Sequence, residues 1–317
     1  MKDNNAYNID LVYLWVDGND PKWKDKHDAF TGKVSVKAET NCVGRYISND
    51  ELKYSLRSIE LYAPWIRKIF LITDSQIPTW LDSENSKICI IDHQDILPAE
   101  SLPCFNSALI EKFFHKIPDL SEHFIYANDD TFLNRPAVPE DFFTPEGLPI
   151  VRLKRKTFRK LQWFWRERIR QKPLKNYSAS IKRASAMIEK LYGIYYTGMP
   201  HHNIDAYRKS FCQYVAENVL KKEFRSNWQN HLRSDNDVQR IVYSYIALAE
   251  KKAKLRYVSE TESMIVRVHK EKDYDKLEKK KPLFFCMNDS EYVKDYQRVT
   301  LRKMLDKLFP NKSSFEL

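Results

Sequence analysis

A run of six apolar residues, Leu11-Val12-Tyr13-Leu14-Trp15-Val16, closes on Asp17-Gly18-Asn19-Asp20-Pro21, and nothing else in the chain constrains the fold as strongly. A nearly continuous apolar run of that length is a strand buried on both faces, and the residues after it end it in a turn. Ile69 to Thr73, Ile88 to Ile91 and Phe124 to Ala127 repeat the pattern. Helical spacings lie between them. Leu52, Leu56, Ile59 and Tyr62 fall on one side and Lys53, Arg57 and Glu60 on the other, and a further helix is expected from Ser107 to Lys116. Strands alternating with helices pair in parallel, so the first half reads as α/β, a doubly wound and mostly parallel sheet. Ligands bind such sheets at the carboxyl ends of the strands. Three of these ends carry acids: Asp17, Asp74 and Asp129-Asp130.

The second half reads as largely helical. Ser234 is a candidate N-cap for a helix reaching Glu250, with Asp235 and Asp237 in its first turn and Val238, Ile241, Tyr245 and Leu248 as its stripe. Ser290 is a candidate cap for a last helix with Val293, Tyr296, Met304 and Leu308 inward. Hydrophobic residues at 43% and aromatics at 13%, with only six glycines, exclude disordered and fibrous classes. No apolar run approaches the roughly 18–20 residues that cross a bilayer, and Met1 to Asp10 lacks the apolar core of a signal peptide. Five scattered cysteines, without metal-type spacing, suit reduced thiols in a cytoplasm.

The net charge of +10 is unevenly placed. Between Lys154 and Arg183 stand twelve Lys or Arg and one acid, Glu167, interleaved with Trp163, Trp165 and Tyr177. Such a stretch attracts an anion: phosphates, an acidic polymer, a membrane face or nucleic acid. The bland alternative is a solvated helical hairpin with its aromatics buried.

The strand Phe124 to Ala127 stops on Asn128-Asp129-Asp130, which delivers hard oxygen ligands to a fixed point. Magnesium or manganese bridging a diphosphate needs one or two carboxylates, the rest coming from water and phosphate. Asn-Asp-Asp is also a good turn. The Asp17 to Asp20 loop has the same two readings, a grip on nucleotide or metal and a plain turn. Arg45 and Arg57 suit bidentate phosphate clamping, or pairing with surface acids. His201 and His202 sit together in a loop and supply a candidate general base; loop histidines are also often merely structural. Arg233 sits where a guanidinium reaches an anion at a helix start, and Asp289 follows the apolar run Leu283 to Met287, from which it can return a further ligand.

Together these pieces resemble one family. Ile9 to Pro21 looks like the opening block of the Stealth proteins, bacterial capsular and exopolysaccharide phosphotransferases similar to the catalytic part of the animal lysosomal-enzyme N-acetylglucosamine-1-phosphotransferase. A second block runs from Glu51-Leu52-Lys53-Tyr54-Ser55-Leu56-Arg57-Ser58-Ile59-Glu60 through Ala63-Pro64-Trp65, Thr73-Asp74, Pro78 to Leu81, Asp92-His93, Leu102 to Ser107 and Glu111, and closes on Leu120 to Tyr126 and Asn128-Asp129-Asp130. Met199 to Asp205 with Arg233 and Asp237-Val238-Gln239 resemble a third, and Phe285 to Asp289 with Phe309-Pro310 and Ser314-Phe315-Glu316 a fourth.

The resemblance implies a sheet like that of A-type nucleotide-sugar glycosyltransferases and a specific reaction. An acceptor hydroxyl attacks the phosphorus next to the sugar of a UDP-sugar such as UDP-N-acetylhexosamine; UMP leaves, and a phosphodiester joins sugar to a carbohydrate acceptor in capsule, exopolysaccharide or lipopolysaccharide. It further implies Mg2+ or Mn2+ on Asp129 and Asp130 with Asp289, Asp130 also counting as catalytic. Phosphate is held by Arg233, Arg57 and Arg45, His201 or His202 is the base, and the Trp15, Asp17, Gly18, Asn19 and Asp20 loop with Asn106 holds the nucleotide. The expected organisation is 1–150 as the α/β nucleotide-sugar and metal core, 151–198 as a basic, aromatic helical insertion, and 199–317 as a mostly helical part completing the site. The expected location is cytoplasmic, with peripheral contact at the inner face of a bacterial membrane as a partner class and nucleic acid excluded. A metal-dependent glycosyltransferase releasing UDP is the nearest alternative. A nucleic-acid-binding protein built on 154–183 and a non-catalytic capsule-assembly scaffold are alternatives from other classes.

Overall fold

β1 (Ile9–Leu14) is the axis of the main sheet. The computed structural model describes residues 7–32, 49–174, 176–290 and 293–317. β1 pairs in parallel with β2 (Ile69–Thr73) on one side and with β4 (His123–Asn128) on the other, and β3 (Ile88–Asp92) extends the sheet beyond β2. Four parallel strands in the order 3-2-1-4 make the expected doubly wound sheet, closed by β8 (Asp205–Arg208) antiparallel to β4. Alternation along each strand splits its side chains between two cores. Leu11, Tyr13, Leu71, Ile125 and Ala127 face the Glu51–Tyr62 helix through Leu52, Leu56 and Ile59. Val12, Phe70, Phe124 and Tyr126 face Leu109, Phe113 and Phe114. The second helical segment is α only from Ser107 to Ile110 and tightens to a 3-10 helix over Glu111–Lys116, where a single helix was expected.

Helices carry most of the regular structure after residue 154, but the second half also builds two small sheets. β6 (Ile150–Lys154) lies between β7 (Met199–Pro200) and β9 (Lys254–Tyr257). β11 (Phe284–Asn288) lies between β10 (Ser263–Arg267) and β5 (Thr131–Leu133), over a third core that includes Phe132, Phe285, Leu301 and Leu305. The 151–198 stretch is joined to the main core through Trp163, Ile181, Ala184 and Ile188.

Two expected helix starts move. The Ser234 helix begins at Ile241, because the Asp237 carboxylate accepts from Ser234 N at 2.8 Å and from Asn106 Nδ2 at 3.0 Å and so closes a turn. The last helix runs Asp295–Leu308 behind Lys294, so Ser290 is not its cap.

Candidate active site

Strand order reverses between β1 and β4, and Leu14 pairs with Asn128 at their carboxyl ends. The crevice of a doubly wound sheet opens at such a reversal. On the β1 side Trp15 is buried, and its N–H donates to Ile72 O at 3.0 Å. The Gln76 amide holds Asp17 at both backbone atoms, N at 2.9 Å and O at 3.0 Å. Asp17 Oδ1 accepts from Asn19 N across Gly18 at 2.9 Å, and Asp20 Oδ1 accepts from Lys22 N and Trp23 N, capping the Pro21–Thr31 helix with Pro21 at its first position. The backbone hydrogen bond from Trp23 holds the Asp20 carboxyl below its ordinary range.

On the β4 side, Asn128 Oδ1 accepts from Tyr126 OH at 2.7 Å and Asn128 O from Thr131 Oγ1 at 2.6 Å, which turns the chain into β5. Asp130 is held by its backbone oxygen, which accepts from Met287 N at 2.8 Å, and by Cys286 Sγ donating to Oδ2 at 3.3 Å. Its Oδ1 has no partner. Burial pushes Asp129 well above the ordinary carboxylate range, and the charges of Asp130 and Glu51 push it further. Asp130 rises as well, by burial first, with Glu51 adding to it against the thiol hydrogen bond. A carboxylate pair short of cations, with one oxygen unbonded, fits a hard divalent ion. Among the described residues no three His, Cys, Asp or Glu side chains gather into a closed metal group. Magnesium or manganese on two carboxylates would complete its shell from substrate phosphate and water. Asp289 does not join the pair. Arg298 holds it at 2.9 and 3.3 Å, Ser290 N donates to it at 2.6 Å, and the acid adjoining both Asp129 and Asp289 is Glu51.

β8 lies antiparallel to β4 with Asp205 opposite Tyr126, which brings the histidine loop beside the turn. His201 is fully buried and bonded at both ring nitrogens, Nδ1 to Ser263 Oγ and Nε2 to Asp205 Oδ1, each at 2.9 Å. It has no nitrogen left to take a proton from a substrate. His202 is the half-buried one, its ring 4.6 Å from Tyr177 and its backbone left-handed at φ 60°. Burial lowers its pKa to about 4, with Arg240 and Lys154 acting the same way, so the imidazole is neutral at neutral pH. Arg240 donates to Asp205 at 2.9 Å and Glu111 at 3.1 Å and lies 4.6 Å over the Tyr126 ring. Burial opposes ionisation of Asp205, yet His201 and Arg240 hold it down at about 2. Arg240 acts electrostatically on both His202 and Asp130, and so joins the two halves of the site.

The remaining candidates scatter. Arg233 is exposed and donates to Ser107 Oγ at 2.7 Å, four residues before Glu111. Arg57 does not face the crevice as a free clamp. It binds Glu316 bidentately at 2.7 Å twice and donates to Phe309 O at 2.9 Å, locking the C-terminal segment to its helix. Asn106 is buried against Asp237 and the 230–232 backbone, so it organises a turn and offers nothing to a ligand. Arg45 lies outside the described residues. Glu51, Glu111, Asp205 and Arg240 carry the electrostatics of the site without having been singled out from sequence. The first three stand inside the blocks quoted above and Arg240 directly follows Gln239, which was the available signal.

Residues 7–35 match Stealth protein CR1, conserved region 1, and residues 45–151 match Stealth protein CR2, conserved region 2. The first takes in β1 and the Asp17 to Asp20 turn, the second Glu51 and Asn128-Asp129-Asp130. The capsular polysaccharide phosphotransferase SacB of Neisseria meningitidis serogroup A is 30% identical over 331 residues, covering 99% of this chain and 58% of SacB. The exopolysaccharide phosphotransferase cps2G of Lactiplantibacillus plantarum is 47% identical over 149 residues, 47% of this chain and 43% of its own length. The exopolysaccharide phosphotransferase SCO6023 of Streptomyces coelicolor is 49% identical over 150 residues, 47% of this chain and 25% of its own. The chain thus spans 25% to 58% of the length of these curated relatives. Among solved structures, the galactosyltransferase LgtC in complex with donor and acceptor sugar analogs aligns over 96% of both chains with a TM-score of 0.44 and 10% identity, too distant to bear on chemistry. With two conserved regions in order on β1 and β4, and SacB related along 99% of this chain, the chain belongs to the Stealth proteins.

Proposed function

We propose that this chain transfers a sugar-1-phosphate from a UDP-sugar to a hydroxyl of a carbohydrate acceptor, releasing UMP, in the synthesis of a capsule or cell-surface polysaccharide. The observation that carries the reading is the pair Asp129 and Asp130, short of positive charge at the strand reversal, beside the neutral imidazole of His202. The likeness to SacB, a capsular polysaccharide phosphotransferase, supports it.

Transfer at phosphorus needs charge neutralisation on the nucleotide phosphate, a hold on the transferred phosphoryl group and removal of the acceptor proton. Magnesium or manganese held by Asp129 and Asp130 supplies the first when bound. His202 accepts the acceptor's proton as the new oxygen–phosphorus bond forms and the bond to the UMP oxygen breaks. Its imidazole is unprotonated at neutral pH, as a base requires. Asp205 and Glu111 hold Arg240 beside the turn, where its charge faces Asp130. Exposed Arg233, bonded to Ser107 Oγ, is a cation that can hold the substrate phosphate. The Asp17 to Asp20 loop acts through its backbone, fixed by Gln76, as one wall of the uridine site.

The test is incubation with a panel of UDP-sugars, an oligosaccharide acceptor and magnesium. The expected products are UMP and a glycan that retains phosphorus as a diester. Release of UDP with no phosphorus in the product is the glycosyltransferase outcome and rejects the proposal.

A further inference from the structure

The basic stretch carries an apolar ridge on its surface that the candidate site does not use. From Arg159 to Ile169 the backbone is helical, α as far as Phe164 and π from Trp165. Buried Arg159 and Trp163 fill the inward face. Arg159 donates there to Gly198 O at 2.9 Å and Tyr196 O at 2.8 Å. Phe158, Leu161, Trp165 and Ile169 recur at intervals of three and four, so they share the opposite face. They are 68%, 64%, 46% and 61% exposed, and Phe164 beside them is 56% exposed. Five large apolar side chains contiguous in water are uncommon on a protein surface that nothing covers.

Cations rim the ridge. Lys160 pairs with Glu189 and Lys182 with Glu167, but among the described residues Arg166, Arg168 and Lys172 meet no carboxylate. Arg170 lies 4.0 Å over the Trp165 ring, and Arg155 lies 4.6 Å over half-exposed Tyr257.

We infer that this ridge docks the protein on the surface of an anionic lipid bilayer, Leu161, Trp165 and Ile169 entering the headgroup layer and Arg166, Arg168 and Lys172 meeting lipid phosphates. An apolar face flanked by unpaired cations is what binds in the plane of such a membrane. A soluble polyanion, whether glycan or nucleic acid, satisfies the cations and leaves the aliphatic side chains in water. A second copy of the chain covers the aliphatic side chains but sets one basic stretch against another, each with twelve Lys or Arg and one acid. Of these three, the bilayer satisfies both. No helix among the described residues is long and apolar enough to cross a membrane, so the contact is peripheral. β6 ends at Lys154, and the ridge begins four residues later.

Vesicle flotation tests this without any sugar nucleotide, so its outcome is separate from that of the proposed reaction. The full chain is expected to float with vesicles of phosphatidylglycerol and phosphatidylcholine, and not with phosphatidylcholine alone, and to release at high salt. R166Q/R168Q removes two charges near the surface and lowers partitioning roughly thirtyfold. L161Q/I169Q removes two inserted side chains at unchanged charge and lowers it roughly a hundredfold or more. All four positions are exposed, and unchanged thermal midpoints are to accompany both results. Equal flotation with neutral lipid, or L161Q/I169Q floating like the wild type, overturns the inference. So does a dimer dissolved by L161Q/I169Q, or an oligonucleotide bound more tightly than the vesicles.

Discussion

β1 and β4 lie side by side and end alike, each an apolar strand stopping on acids, yet the two ends have opposite electrostatics. At the β1 end every carboxylate is committed: Asp17 to Asn19 N, Asp20 to the helix it caps. Asp74, at the end of neighbouring β2, faces Lys26 at 2.5 Å. At the β4 end Asp129 and Asp130 adjoin each other and Glu51, and against burial they gain only the Cys286 thiol and the charge of Arg240, itself already bonded to Asp205 and Glu111. The difference does not come from the turns themselves. It comes from what distant segments bring to them: the 21–31 helix brings a lysine to β2, whereas the 51–62 helix and β11 bring an acid and a thiol to β4. A strand end left short of cations inside a fold recruits one from outside.

The largest expected effect follows from that contrast. A carboxylate whose pKa rises on folding stabilises the folded state only below its unfolded value, and that stability is lost as pH rises through the raised one. Metal-free protein is therefore expected to lose stability from about pH 4 upward. Asp129→Asn and Asp130→Asn, neutral at every pH, should raise the metal-free unfolding midpoint by about 2 °C or more. The same substitutions should cut turnover roughly 10³-fold, the several kcal/mol that a Lewis acid contributes. Magnesium at about a hundredfold excess over its Kd should stabilise the wild type by about 2.7 kcal/mol and the variants far less. A midpoint indifferent to magnesium, pH and both substitutions would make the two strand ends equivalent.

The paired histidines offer a second contrast. His202→Asn keeps a residue that tolerates the left-handed backbone, so the fold should hold while turnover falls roughly 10²- to 10⁴-fold. His201→Asn should do the reverse, costing about 1–3 kcal/mol of stability by breaking the bonds to Ser263 and Asp205. With His202 held at about 4, its protonation limits turnover only near that pH. Reversed outcomes for the two variants would exchange their roles.

How far the sequence reached follows the same division. The strands and the 51–62 helix were legible because their apolar spacing is local, and so was the Asn128-Asp129-Asp130 turn. The state of charge at each turn was not, since it depends on pairings such as β11 with β5 and β8 with β4, across 70 residues or more of chain. For that reason Arg57 read as a phosphate clamp although Glu316 holds it, and Glu51, Glu111 and Arg240 carried no assigned role. The histidine doublet stayed ambiguous because only Ser263 and Asp205 show which ring is enclosed. Short strands such as β7 and β10 escaped notice because partners from distant segments decide them more than intrinsic propensity does.

The smallest expected effect tests the β1 end. Asp20→Ala removes the oxygen that accepts from Lys22 N and Trp23 N, and N-cap losses of this kind cost about 1 kcal/mol. Because those bonds hold the helix start and not the Asp129–Asp130 pair, magnesium affinity should be unchanged while urea unfolding shifts to a lower midpoint. The lowered pKa of Asp20 gives the opposite pH sense from Asp130: its contribution is present above the unfolded value and lost as pH falls through the folded one. Wild type and Asp20→Ala should therefore converge in stability under acid, whereas wild type and Asp130→Asn should converge there from the other side. Loss of magnesium binding in Asp20→Ala would move the metal site toward β1 and erase the distinction between the two ends.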